Sequence, residues 1–118
     1  MRLENRRAIV TGGARGMGFA MAKRLNDEGA RVALLDINGE QAKESAAQLK
    51  DCVGLYCDVS NVESIKTAVA EAAKALGGVD ILVNLAGILH PYEDLLETTE
   101  EKWDQVFAVN TKGLFFMC

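Results

Sequence analysis

The sequence has little of what marks several special classes of protein. Its 118 residues contain one proline, which excludes a proline-rich linker or a collagen-like chain. Three cysteines form no C-x-x-C pair and have no histidine at zinc-ligand spacing, so we expect no metal site and a reduced, cytoplasmic setting. Long apolar runs are also missing; the first run, residues 8–10, is too short for a signal-peptide core or a membrane span.

The charge balance restricts the partners. Thirteen Lys and Arg against 17 Asp and Glu give a net charge of −4, which provides no basic face for nucleic acid. Hydrophobic residues make up 49% of the chain, too many for an intrinsically disordered protein. We expect one folded domain, spanning residues 1–118, with neither nucleic acid nor membrane as a partner.

Short apolar runs alternate with helix-like segments. The runs predict strands over residues 8–11, 31–36, 53–57 and 80–84, and their continuous apolar character is typical of strands buried on both faces. Helices are predicted over residues 17–28, 39–50, 60–76 and 98–117. This alternation predicts an α/β fold with a doubly wound parallel sheet of the Rossmann type, whose first-half strand order is 3-2-1-4.

Two local patterns make the helix predictions specific. Met17, Met21 and Leu25 are spaced as the apolar face of the first helix. Ser60 and Glu63 have the spacing of a capping box for the third.

In doubly wound sheets, ligands bind beyond the carboxyl ends of the strands. Polar residues collect at those predicted ends, because Thr11, Asp36, Asp58 and Asn84 each close or follow a strand. The sequence therefore predicts a ligand site there.

A glycine-rich segment, residues 11–18, lies between the first strand and the first helix. Its spacing, G-x-x-x-G-x-G at Gly12, Gly16 and Gly18, is neither G-x-G-x-x-G nor a P-loop. Glycines let a backbone approach a ligand, and the following helix offers free N–H groups suited to a diphosphate. The alternative is that the glycines serve only tight packing.

Asp36 lies 18 residues after Gly18, close to the spacing of an acid that holds an adenosine ribose. A carboxylate at that place repels a 2′-phosphate and favours NAD over NADP. Arg15 argues in the other direction, since a cation beside the glycines would attract the phosphate. The alternatives are an exposed turn aspartate and a solvated arginine.

The remaining polar candidates each keep two interpretations. Asp58 would accept a hydrogen bond from an adenine amino group, or it is a turn residue. Asn84 would hydrogen-bond across the sheet end, with Ala86 and Gly87 leaving room for a cofactor, or the segment is a plain loop. His90, the single histidine, is assigned no chemistry.

Asn110 places an amide on the apolar stripe of the last helix, between Val106 and Leu114. A buried amide without partners costs about 1–3 kcal/mol. It therefore holds the backbone at a kink, holds a water near the site, or is a satisfied core residue without a part in chemistry.

Together these motifs resemble the short-chain dehydrogenase/reductase family, whose members use NAD(P) and mostly oxidise alcohols or reduce carbonyls. The resemblance spans nearly the whole chain. It implies NAD as the cofactor, with NADP less favoured, and a small alcohol or ketone as the substrate. It also implies Asn110 as the asparagine of the catalytic tetrad, which supports a proton-relay water. The cofactor-binding residues it implies are Gly12, Arg15, Gly16, Met17, Asp36, Asp58, Val59, Asn84, Ala86 and Gly87.

Two departures qualify this resemblance. Leu85 stands where the family usually has the second Asn of Asn-Asn-Ala-Gly. The family's Tyr-x-x-x-Lys pair, in which Lys lowers the pKa of Tyr, has no counterpart, because Ser60 and Leu96 follow Tyr56 and Tyr92 at that spacing. We therefore expect a cofactor-binding half, truncated before the Tyr–Lys helix.

Two further hypotheses stay open: a dinucleotide-binding module or subunit without catalysis, and a purely structural interaction domain. A bare fourth strand and an exposed apolar stripe on the last helix also predict a homo-oligomer.

Overall fold

The computed structural model of the chain describes residues 1–89 and 94–118, so the sequence predictions on His90 and Tyr92 lie outside the described residues. Strands and helices alternate in it, as the sequence predicts. The strands are β1 (Arg7–Thr11), β2 (Arg31–Asp36), β3 (Val53–Tyr56) and β4 (Ile81–Asn84). The α-helices are α1 (Gly16–Asp27), α2 (Gly39–Ala46), α3 (Val62–Leu76), α4 (Glu100–Phe107) and α5 (Leu114–Met117).

The strands form one parallel sheet in the order β3-β2-β1-β4, which confirms the predicted Rossmann-type topology. The register pairs Thr11 with both Leu35 and Asn84, and it pairs Asp36 with Tyr56. The carboxyl ends of the strands therefore meet at one edge of the sheet, where the polar residues were expected.

Each face of the sheet has its own core. Ile9 of β1 and Leu35 of β2 pack with Ile65 of α3 on one face. Val10 and Leu34 pack with the helix α1 and its surroundings on the other. Burial on both faces explains why these strands are continuous apolar runs.

The predicted apolar face of α1 is buried only in part: Leu25 packs against the core, as predicted. Met17 is 72% exposed, and Met21 is exposed as well. Gly18 and Ala22 are buried instead. A Cβ at position 18 would overlap the Gly12 carbonyl oxygen, so only glycine at this position allows α1 to approach the glycine-rich turn this closely.

The predicted capping box of α3 is wrong by one residue. Asn61 is the N-cap, and its Oδ1 accepts a hydrogen bond from the Ser64 amide at 3.0 Å. The Ser60 hydroxyl donates to Asp58 Oδ1 at 2.6 Å, as does the Ser60 amide at 3.0 Å. Ser60 therefore belongs to the turn that precedes the helix.

The last predicted helix is not continuous. A π-helical segment, Ala108–Gly113, separates α4 from α5, and a short 3₁₀ turn, Leu95–Glu97, precedes α4. A Cβ at Gly113 would lie 2.8 Å from the Val59 carbonyl oxygen, so this segment packs tightly on the β3–α3 loop. Thr99 is the N-cap of α4, and its side chain accepts a hydrogen bond from the Lys102 amide.

Helix α2 and the two outer strands, β3 and β4, are also shorter than predicted. Helix α2 ends at Ala46 rather than at residue 50, and Leu49 still packs against the core from the following turn. Across residues 1–89 and 94–118, no helix is long and apolar enough to span a membrane.

Candidate functional site

The carboxyl ends of β1, β2 and β4 open onto a cleft of about 340 Å³. Several residues proposed from the sequence line it: Gly12, Arg15, Asp36, Asp58, Val59, Ala86 and Gly87. The cleft is also lined by residues that the sequence did not single out, mostly apolar: Leu35, Ile37, Cys57, Leu85, Ile88 and Val109. Gly16, Met17, Asn84 and Asn110 stand outside this lining.

A larger groove, of about 780 Å³, runs between α2 and α3 along the outer edge of β3. It has neither the glycine-rich turn nor Asp36 in its walls. We therefore place the candidate site in the smaller cleft.

Gly12 and Gly16 of the glycine-rich turn have positive φ angles, and their surroundings differ. Gly12 has φ +66°, and a Cβ there would lie 3.1 Å from the backbone of Ala86. Gly16 also has a positive φ, +59°, but a Cβ there would meet nothing within 4 Å. Tight packing explains Gly12, whereas Gly16 keeps open space in front of the first turn of α1.

The start of α1 differs from the start of α2, α3 and α4. Those three helices are capped by the side chains of Asn38, Asn61 and Thr99. The N-cap of α1 is Arg15, whose side chain makes no capping hydrogen bond within the described structure, and no acidic residue lies in the first turn. Its first amides and the positive end of the helix dipole therefore suit an anionic ligand.

Asp36 is held by backbone amides at the end of β2. Its Oδ2 accepts a hydrogen bond from the Ala14 amide at 3.2 Å, and its Oδ1 accepts one from the Asn38 amide at 3.0 Å. Each carboxylate oxygen has a second acceptor position. Asp36 is thus fixed at the rim of the cleft and keeps the capacity to accept hydroxyl groups.

Asp58 and the neighbouring Cys57 form another part of the lining. Asp58 Oδ1 accepts from Ser60, which is the turn arrangement considered as an alternative. Its role at an adenine stays a prediction. Cys57 is buried, and burial raises the pKa of its thiol to about 11, so the thiol is uncharged at neutral pH.

Thr11, rather than Asn84, connects the ends of β1 and β4. Its Oγ1 accepts hydrogen bonds from the Leu85 and Ala86 amides, both at 3.1 Å. The Asn84 side chain instead donates to Cys118 Sγ at 3.6 Å. The segment after β4 is therefore shaped by a buried threonine hydroxyl, which the sequence marked only as a polar strand end.

The Asn110 side chain hydrogen-bonds to both backbone polar groups of Ile88, a residue that lines the cleft. Its Oδ1 accepts from the Ile88 amide and its Nδ2 donates to the Ile88 carbonyl oxygen, each at 2.8 Å. It lies in the π-helical segment, a type of irregularity that is frequent at functional sites. Asn110 therefore lies in an irregular part of the helix and has a side-chain amide with partners for both of its polar atoms. Its part in proton transfer stays a prediction.

Ser45 is a second residue that sequence reasoning missed. It is buried on α2, and its hydroxyl donates to the Ala14 carbonyl oxygen. The available signal was a serine beside Ala42 and Ala46 on the apolar face of a short helix, where serine is a poor helix former.

No cluster of three or more His, Cys, Asp or Glu with metal-site geometry occurs in the part of the chain that is described.

Comparison with known proteins identifies relatives along almost the whole chain. The family model for short chain dehydrogenase matches residues 6–118. A sorbitol dehydrogenase of Cereibacter sphaeroides is 42% identical over 118 residues, which cover 99% of this chain and 46% of that protein. A D-threitol dehydrogenase of Mycolicibacterium smegmatis is 41% identical over 123 residues, with the same two coverages. The chain thus spans about half the length of these curated relatives.

Solved structures agree with these relatives. A 3-ketoacyl-(acyl-carrier-protein) reductase from Brucella melitensis, complexed with NADH, superposes with a TM-score of 0.95 at 34% identity. The match covers 98% of this chain and 48% of that one. A dehydrogenase/reductase from Sinorhizobium meliloti 1021 gives a TM-score of 0.91 at 43% identity, and the match covers 98% of this chain and 47% of that one.

Proposed function

The chain belongs to the short-chain dehydrogenase family, and from that premise we propose that it binds NAD(H) for an oxidoreductase acting on a small alcohol or ketone. In this proposal the chain is the cofactor-binding half of the catalytic unit. The NADH complex of the Brucella melitensis relative supports the choice of cofactor.

The observation that carries the proposal is the uncapped start of α1 beside the open space at Gly16. A diphosphate placed there would accept hydrogen bonds from first-turn amides that no side chain caps in the described structure. Gly16 leaves the space that a side chain would otherwise fill. The residues present therefore fit the diphosphate of a dinucleotide.

Asp36 favours NAD over NADP in this proposal. Its carboxylate is fixed by the Ala14 and Asn38 amides and accepts the ribose hydroxyls. The same negative charge repels a 2′-phosphate. Arg15 lines the same cleft, but Asp36 lies at the proposed ribose position and therefore dominates the choice.

NAD, when bound, supplies a hydride acceptor at its nicotinamide ring. Ala86 and Gly87 give the cofactor a narrow wall with little side chain, and the Asn110 amide holds the adjacent Ile88. In the family's catalytic tetrad, the asparagine supports a proton-relay water, and we propose that role for Asn110.

A second candidate is a dinucleotide-binding module without turnover. It rests on the same cleft and the same uncapped start of α1, which suit a dinucleotide whether or not it is turned over. We expect the 118-residue polypeptide alone to bind NADH and to leave alcohols unoxidised, because it contains no Tyr–Lys acid–base pair.

Titration with NADH and with NADPH, followed by cofactor fluorescence, tests the proposal. We expect NADH to bind more tightly than NADPH. We expect Asp36→Ala to weaken NADH binding and to reduce the difference between the dissociation constants for NADH and NADPH. Glu40→Ala is the control, since Glu40 is an exposed acid at the start of α2 and outside the lining of the cleft. An unchanged preference in Asp36→Ala would refute the ribose assignment.

Steady-state assays of the same polypeptide with NAD and a panel of small alcohols test the binding-module candidate. Turnover would refute the binding-module candidate.

A further inference from the structure

Ser45 is a buried hydroxyl group that the proposed cofactor contacts do not explain. It is 2% exposed and lies on the face of α2 that packs against the sheet. Its Oγ accepts a hydrogen bond from Gln41 Nε2 at 3.3 Å and donates to the Ala14 carbonyl oxygen. Because a hydroxyl has a single hydrogen, the contact from Gln41 leaves that hydrogen for Ala14.

Ala14 is held at both of its backbone polar groups. Its amide donates to Asp36 Oδ2 at 3.2 Å, and its carbonyl accepts from Ser45. The preceding amide, of Gly13, donates to the Leu35 carbonyl oxygen at 3.2 Å. The first half of the glycine-rich turn is thus fixed to the end of β2 and to α2.

This arrangement connects a residue remote from the cleft to the carboxylate that faces it. Asp36 has one oxygen on Ala14 and the other on Asn38, so the position of the Ala14 amide determines how the carboxylate is oriented. Without the Ser45 hydroxyl, the buried Ala14 carbonyl would lose its side-chain partner, and the turn would relax to find another. Asp36 would then lose a fixed donor.

We propose that Ser45 is a positioning residue that sets the affinity for NAD and the preference for NAD over NADP, acting through Ala14 on Asp36. This inference rests on the proposed function. The ribose hydroxyls of NAD depend on the orientation of Asp36, whereas a 2′-phosphate is repelled by that carboxylate and gains nothing from it. Loss of the Ser45 hydroxyl therefore weakens NAD binding more than NADP binding.

The test uses Ser45→Ala and the rescue variant Ser45→Thr, which keeps the hydroxyl. The matched control is Thr67→Ala, which removes an exposed hydroxyl from α3. Dissociation constants for NADH and NADPH are measured by fluorescence titration, and folding is checked by circular dichroism. We expect Ser45→Ala to raise the NADH dissociation constant about tenfold, as for the loss of one buried hydrogen bond, and the NADPH constant by about twofold. Ser45→Thr should restore most of the loss, and Thr67→Ala should change neither constant.

A double-mutant cycle separates positioning from a general structural role. In the Asp36→Ala background, Ser45→Ala should change the NADH dissociation constant by less than about twofold, because its effect passes through the missing carboxylate. An equal effect in both backgrounds would overturn the proposal. If Ser45→Ala does not fold, Gln41→Ala replaces it as the test, because it removes the donor that orients the Ser45 hydroxyl. Gln41→Ala must then also reduce the preference for NADH over NADPH, and an unchanged preference would overturn the proposal.

The outcomes also distinguish this proposal from the proposed function. A wild-type protein that binds neither NADH nor NADPH would refute the function. A wild-type protein that prefers NADH, with a folded Ser45→Ala variant that keeps the same preference, would refute the role of Ser45 alone.

Discussion

Substitution of Gly16 by valine tests the diphosphate site most sharply, because the chain contains a matched control. Gly16 has φ +59° and Gly77 has φ +85°, and a Cβ at either position would meet nothing within 4 Å. Both variants therefore have a left-handed backbone penalty of about 1–2 kcal/mol and no steric overlap within the described structure. Gly77 ends α3 near Arg7, the first residue of β1, far from the cleft.

The two variants should differ only in cofactor binding. A valine at position 16 fills the space in front of the first amides of α1. Hydrogen bonds to a charged group contribute about 1.5–3 kcal/mol each, so the loss of two raises the NADH dissociation constant by about a hundredfold or more. Gly77→Val should bind NADH as the wild type does.

The assay is a fluorescence titration with NADH, together with thermal unfolding of both variants. Similar unfolding temperatures would confirm that the backbone penalties match. The diphosphate assignment would be refuted if Gly16→Val, folded, bound NADH within about twofold of Gly77→Val.

Three further predictions concern stability and assembly. Asn110→Ala leaves both backbone groups of Ile88 without their partner, so we expect the free energy of unfolding to fall by about 1–2 kcal/mol in urea, with Thr111→Ala as the exposed control. Hydrogen bonds from the Arg7 guanidinium and backbone amide lower the pKa of Asp80 from 3.8 to about 2. The pair therefore stabilises the fold above pH 3.8, and this stabilisation is lost as the pH falls through 2. Asp80→Asn should therefore lower stability at pH 7 and leave it unchanged at the acid end of a pH series of urea unfolding. The exposed aromatic face of α4 and α5 predicts concentration-dependent self-association in sedimentation velocity, and a monodisperse monomer at all concentrations would contradict it.

The strands could be predicted because their signals are local and repeated, and their order followed from the doubly wound fold that the alternation indicates. Each strand is a short apolar run, and the polar residue at its end marks the edge where ligands bind. Asp36 was found in this way and Gly12 from the spacing of the glycine-rich segment, and the structure places both in the lining of one cleft.

The errors have a common cause, which is competition between alternative contacts, tertiary in one case and local in the other. Met17 and Met21 have ideal helical spacing, yet α1 turns Gly18 to the glycine-rich turn and Ala22 to the core. Serine is a common N-cap residue, but the Ser60 hydroxyl donates a hydrogen bond to the Asp58 carboxylate instead. Spacing alone cannot decide between such partners.

The contacts that position the site were the least predictable. Asn110 was singled out as an amide on an apolar stripe, but its partner, Ile88, lies in a loop without a distinguishing pattern. Ser45 and Thr11 act through single hydroxyl groups on backbone atoms that are remote in sequence. Only the folded arrangement shows which backbone group each hydroxyl reaches.

The most direct test of the central claim is a crystal structure of the protein with NADH bound. The account predicts the diphosphate against the first amides of α1 beside Gly16, and the adenosine ribose hydroxyls on the Asp36 carboxylate. Density for the dinucleotide in the groove along the outer edge of β3, or anywhere away from Gly16 and Asp36, would contradict it.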